Sequence, residues 1–139
     1  MDNITLKTSK YTLSISKQTA QTLFELSDVL KINELEIDHC YVPEYIDIES
    51  MKLILQYCDM YQSFSSIIKP ITEEKFQETL GDSMYDWITS LNKYKLFNLL
   101  NCVNCLCMDE LIEIICIRIS LDIKSMDWKE LDEYFSYAN

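Results

Sequence analysis

Glycine occurs once in the 139 residues, at Gly81, and histidine once, at His39. A dinucleotide fingerprint or a phosphate-cradling loop needs several glycines where backbone closes on phosphate, so neither motif is present. A single histidine excludes the zinc-protease helix and any multi-histidine metal site. Cations are scarce too: 12 Lys and Arg stand against 23 Asp and Glu, a formal net charge of −11. Nucleic-acid binding rests on neutralising phosphates with Lys and Arg, so that function class is excluded in favour of protein partners. No apolar run exceeds four residues, which predicts no membrane span. The opening Met1-Asp2-Asn3 carries neither a basic cluster nor an apolar stretch, so no signal peptide is expected. The expected location is the cytoplasm, the nucleus or both, where the six cysteines stay thiols.

What is present suits one globular domain: the length is right, and 48% of residues are hydrophobic. Ile4 and Leu6 alternate with polar neighbours, as do Tyr11, Leu13 and Ile15. Period-two alternation predicts an antiparallel hairpin with one wet face. A helix is predicted over 17–30, with Ser16 as its cap and Ala20, Leu23, Phe24 and Leu30 in its apolar stripe. The stretch from Ile32 to Tyr41 is mixed, and Val42 before Pro43 is biased to extended backbone. A second helix is predicted over 47–61, capped by Asp47 or Ser50, with Met51, Ile54, Leu55 and Cys58 on one face.

Serine-rich 62–69 before Pro70 reads as a loop; a weak helical pattern from Thr72 through Phe76 and Leu80 stops at Gly81. Leu96, Leu99, Leu100, Val103 and Leu106 form a clean helical stripe. Leu111 to Ile119 holds five isoleucines, which favour a strand. Its acidic residues Asp109, Glu110 and Glu113 nevertheless share one helical side opposite Leu111, Ile115 and Ile119, so the segment is read as a buried helix. Asp127 caps a last helix with Leu131, Tyr134 and Phe135 on one face. The expected class is α+β: a strand-rich half over 1–61, a loop region over 62–84 and a helical part over 85–139.

Three groups of residues invite a chemical reading. Cys102, Cys105 and Cys107, with Cys116 beyond, raise a zinc site, but they alternate with Val103, Leu106 and Met108 inside an apolar stripe. Buried free cysteine behaves as a small hydrophobe, so no metal is expected. His39-Cys40 raises a nucleophile; catalytic Cys–His pairs meet in space and are seldom sequence neighbours, so a surface loop beside Asp38 is expected. The carboxylates are scattered as Glu34, Glu36 and Asp38, as Glu73 and Glu74, and as Asp109, Glu110 and Glu113, and read as solvated faces. No catalytic site and no cofactor is expected.

Several stretches, in this order along the chain, resemble the S-phase kinase-associated protein 1 family, the adaptors of SCF ubiquitin ligases. They are Ile4-Thr5-Leu6-Lys7-Thr8-Ser9, like the family's first strand, and Ala20-Gln21-Thr22-Leu23, like the start of its first helix. Ile54-Leu55-Gln56-Tyr57-Cys58 resembles Val-Ile-Gln-Trp-Cys, and Tyr85-Asp86 stands where the family has Trp-Asp. Leu96-Phe97-Asn98-Leu99-Leu100 resembles Leu-Phe-Glu-Leu-Ile, Val103-Asn104-Cys105-Leu106 stands for Ala-Asn-Tyr-Leu, and Lys129-Glu130-Leu131 through Phe135 resembles the helix that follows. Elongin C shares the fold but ends near the equivalent of Leu106.

The resemblance implies a BTB/POZ-type fold and a non-enzymatic adaptor in ubiquitin-dependent protein breakdown, with a cullin on one side and an F-box protein on the other. It implies cullin-facing residues at Asn104 and Cys105. The family's tyrosine is Cys105 here, and losing an aromatic anchor costs on the order of 2 kcal/mol of interface energy. The family's long acidic loop is replaced by 62–84, with Phe64, Ile67 and Ile68. The chain stops at Asn139, before the family's two terminal helices that clamp the F-box. The final third is more apolar than a small sheet and helix can cover, which for this fold implies helix-in-groove recognition, and its part nearest the C-terminus, Ile117, Leu121, Ile123, Met126, Trp128, Leu131 and Phe135, supplies the partner-facing candidates. A reduced, diverged copy of this kind resembles those of large DNA viruses. Two other binding functions compete: a BTB-type homodimer with a structural or assembly role, and a decoy that holds one ligase component.

Overall fold

The computed structural model describes residues 3–30, 39–61 and 72–136. Two strands, β1 (Asn3–Lys7) and β2 (Thr12–Ser16), form the expected hairpin, with Ile4 opposite Ile15 and Leu6 opposite Leu13. The Thr8 amide donates to the Tyr11 carbonyl, and the Lys10 and Tyr11 amides donate to the Thr8 hydroxyl. A threonine side chain thus organises a turn that has no glycine.

Helix α1 (Lys17–Leu26) follows at once, its Thr19 amide capped by Ser16 Oγ. It ends four residues before the expected Leu30. The Ser27 hydroxyl accepts from the Leu30 and Val29 amides, and this local turn competes with a further helical turn. Strand β3 (His39–Tyr41) then pairs parallel to β1, giving a three-stranded mixed sheet of order β2-β1-β3. His39 and Cys40 therefore lie in a strand, not in the expected loop.

Asp47 caps α2 (Ile48–Met60) by accepting from the Ser50 amide. The expected loop over 62–69 lies outside the described residues, as do Glu34, Glu36 and Asp38. The helical pattern expected from Thr72 to Leu80 is present as α3 (Glu73–Leu80), and α4 (Asp82–Thr89) begins directly after Gly81, inside the region expected as loop up to residue 84. Gly81 has φ +82° and ψ 162°, a conformation open essentially to glycine alone. It ends one helix and starts the next without an intervening loop.

Helix α5 (Lys93–Cys105) is capped by Asn92 Oδ1 on the Lys95 amide. A tight turn through Leu106 and Cys107, the latter at φ 55°, leads into α6 (Asp109–Ile123). The isoleucines of α6 cost helix propensity, up to about 0.7 kcal/mol each. Leu111, Ile114, Ile115 and Ile117 are buried, and burial stabilises each by roughly 1.5–3 kcal/mol. Burial outweighs propensity, and the segment is a helix. Finally Asp127 caps α7 (Trp128–Ser136) through the Glu130 amide.

One core runs through the described residues. Ile4, Leu6 and Ile15 from the sheet meet Ala20 and Leu23 of α1, Met51 and Ile54 of α2, Leu99 and Val103 of α5, and Leu111 and Ile115 of α6. The architecture is α+β, with a small mixed sheet first and a helical part after it. No helix among the described residues is long and apolar enough to cross a membrane.

Candidate functional site: two docking surfaces

The first surface lies at the C-terminal end of α5. Its backbone is held by a chain of turn bonds: the Leu106 amide donates to Cys102 O, Cys107 to Asn104 O and Met108 to Val103 O. Leu106 and Met108 point into the core, which turns Asn104, Cys105 and Cys107 to solvent. The Tyr45 phenol comes from the loop after β3; the neighbouring Cys105 thiol, with desolvation and the other nearby thiols, raises it above its ordinary pKa. Tyr45 is exposed, as is Tyr41. Neither tyrosine was singled out from sequence, where a tyrosine beside Pro43 carries no periodic signal.

Behind this surface, α5 is pinned to the start of α2. Asn98 Nδ2 donates to Asp47 Oδ1 and Ser50 Oγ, both at 3.0 Å. Burial works against the Asp47 carboxylate, but the Ser50 and Asn98 donors prevail and hold it below its ordinary pKa. The Tyr11 hydroxyl donates to Ile46 O at 2.7 Å, and desolvation, with Asp47 nearby, pushes that phenol up to about 12. These contacts tie the middle of α5 and the hairpin to the residues that open α2.

The second surface is built on α7. Lys93 at the start of α5 donates to the carbonyls of Glu133 and Tyr134, where the negative end of the α7 dipole favours a cation. Its ammonium also lies 5.4 Å from the Tyr134 ring centroid. Phe97 of α5 meets Tyr134 at 5.6 Å and Phe135 at 6.0 Å between ring centroids. Buried Tyr134 thus faces the body, whereas Trp128 is 88% exposed and Phe135 38%. Leu121, Ile123, Met126 and Leu131 are half-buried. Ile117 is a correction to the partner-facing set: it is 5% exposed and belongs to the core, on the side of α6 that packs against the rest of the chain, while Cys116 beside it is exposed.

The remaining candidates are dispersed. Cys102 is buried, while Cys105, Cys107 and Cys116 are exposed. Among the described residues no group of three or more His, Cys, Asp or Glu side chains is arranged to hold a metal ion. Cys40 is half-buried, its thiol directed at the Tyr41 carbonyl 3.7 Å away, and burial raises its pKa, the opposite of an activated nucleophile. His39 packs edge-on against the Tyr41 ring at 5.5 Å.

Two of the acidic residues read as solvated are engaged in structure. Glu110 is half-buried and accepts from the Tyr61 hydroxyl at 3.2 Å. Glu73 receives both terminal nitrogens of buried Arg118, and the Tyr85 hydroxyl at 2.6 Å. Arg118 also donates to Asp122 from Nε and from a terminal nitrogen. This ion cluster ties α3 to α6. Neither ion-pairing nor burial was recognisable from spacing, since Arg118 lies 45 positions from Glu73 and Tyr61 lies 49 from Glu110.

No protein-family model matches the chain, and no curated protein is significantly similar to it.

Proposed function

We propose that this protein is a non-enzymatic adaptor of BTB/POZ-type fold, resembling the SCF subunit that links a cullin to an F-box protein. Its work is binding alone: it brings a substrate receptor to a ligase and moves no bond. One face is the α5 end, with Asn104 and Cys105. The other is the α7 stripe of Trp128, Leu131 and Phe135 with the half-buried residues at the end of α6.

The observation that carries the reading is that the two candidate faces sit on different elements and each offers exposed side chains. An adaptor needs two surfaces that can be occupied together. The order of a small mixed sheet followed by helices supports the same fold type. Tyr45 beside Cys105 supports the first face, because aromatic side chains dominate interface energetics and the family's tyrosine is missing there.

Co-expression tests the reading, with a cullin N-terminal domain and with an F-box segment in separate experiments. The adaptor reading expects both to co-purify. Binding of one alone identifies a decoy, and binding of neither sinks the proposal.

A further inference from the structure

One flank of α7 carries a partly exposed apolar stripe, and exposed acidic residues lie beside it. Trp128, Leu131 and Phe135 follow one another at steps of three and four, so they share one face of the helix. Isolated apolar residues at a surface are ordinary, but a continuous stripe on an ordered helix marks an interaction site. The stripe is also held in place: Phe135 packs on Tyr134 at 5.2 Å and on Phe97, and Lys93 fastens the last turn. A partner would therefore meet preorganised rings and lose less entropy on docking.

Charge selects among the possible occupants. On α7 and its cap, Asp127, Glu130, Asp132 and Glu133 are exposed against a single cation, Lys129. Lys93 is engaged on α7 carbonyls, and Arg118 is engaged by Glu73 and Asp122. A second copy would set like-charged borders against each other, with a net charge of −11 on each chain. An anionic membrane surface would be repelled in the same way. We propose that the α7 stripe docks an amphipathic helix whose apolar face is bordered by lysine or arginine. The proposal rests on the reading of α7 as a docking surface and adds the chemistry of what it takes.

Two synthetic helical peptides with the same leucine stripe test this, one bordered by lysine and the other by glutamate. Calorimetric titration of the full chain is expected to detect the lysine peptide, with affinity falling as salt rises, and to detect no glutamate peptide. Trp128→Ala and Trp128→Gln are expected to weaken the lysine peptide at least tenfold while leaving the melting temperature unchanged. Equal binding of the two peptides, or unchanged binding by both Trp128 variants, overturns the proposal. So does a dimer of the free protein that dissociates in those variants, since a second copy then covers the stripe. The adaptor reading fails separately, through loss of both cullin and F-box capture.

Discussion

The Ser27 hydroxyl donates to the Leu106 carbonyl at 2.7 Å, joining the end of α1 to the end of α5 across 79 positions of sequence. Ser27 is fully buried, and the same oxygen accepts from the Leu30 amide at 3.1 Å. One small side chain therefore closes α1 and steadies the backbone beside Asn104 and Cys105. Ser27→Ala leaves a buried carbonyl and a buried amide without this partner. The expected cost is about 1–3 kcal/mol. Urea denaturation checks it, through a lower midpoint at an unchanged slope.

Acid destabilises this fold through identifiable carboxylates. The Arg118 contact, opposed by desolvation and aided by Tyr85, holds Glu73 below its ordinary pKa, and Asp47 is likewise lowered. The unfolded chain then binds more protons than the native one at pH values between the depressed and the ordinary carboxylate pKa, so stability rises with pH across that interval. The contribution is complete above about pH 4.5 and is lost as pH falls through the native-state values. Glu73→Gln is expected to flatten this slope. Because Glu73 is half exposed and Asp122 still pairs with Arg118, the expected cost at neutral pH is about 1 kcal/mol, below that of a fully buried pair. Urea midpoints for both proteins from pH 2.5 to pH 7 check slope and offset together.

Gly81→Ala separates steric space from backbone conformation. A Cβ at this position meets nothing within 4 Å. The φ of +82° with ψ 162° still excludes alanine, so a loss of about 1–3 kcal/mol is expected without any clash. Thermal melting reads it; an unchanged melting temperature would show that the α3–α4 junction relaxes freely.

Thiol labelling maps the cysteines onto the fold. Cys105, Cys107 and Cys116 are exposed, whereas burial, with Asp59 nearby, pushes Cys58 up to about 12. The thiolate, which is the reactive form, is therefore disfavoured at Cys58. Maleimide followed by mass spectrometry is expected to mark the three exposed thiols first and Cys58 only after unfolding. Rapid native-state labelling of Cys58 contradicts the packing of α2.

Local pattern by itself determined much of this protein. The alternation of Ile4, Leu6, Leu13 and Ile15 determined the hairpin, and the caps Ser16, Asp47 and Asp127 marked helix starts that the structure has. These features depend on residues a few positions apart, whose spacing fixes which face is apolar. Tertiary structure decided the rest. The strand at His39–Tyr41 exists through parallel pairing with β1, and α1 stops at Leu26 because Ser27 is taken up by its own turn and by Leu106. Arg118 and Ile117 are buried, and Trp128 is exposed, by virtue of what packs above each of them. A helical period marks an apolar stripe as able to be covered, but only the packed chain decides whether its own atoms cover it, because that depends on groups brought together from distant positions.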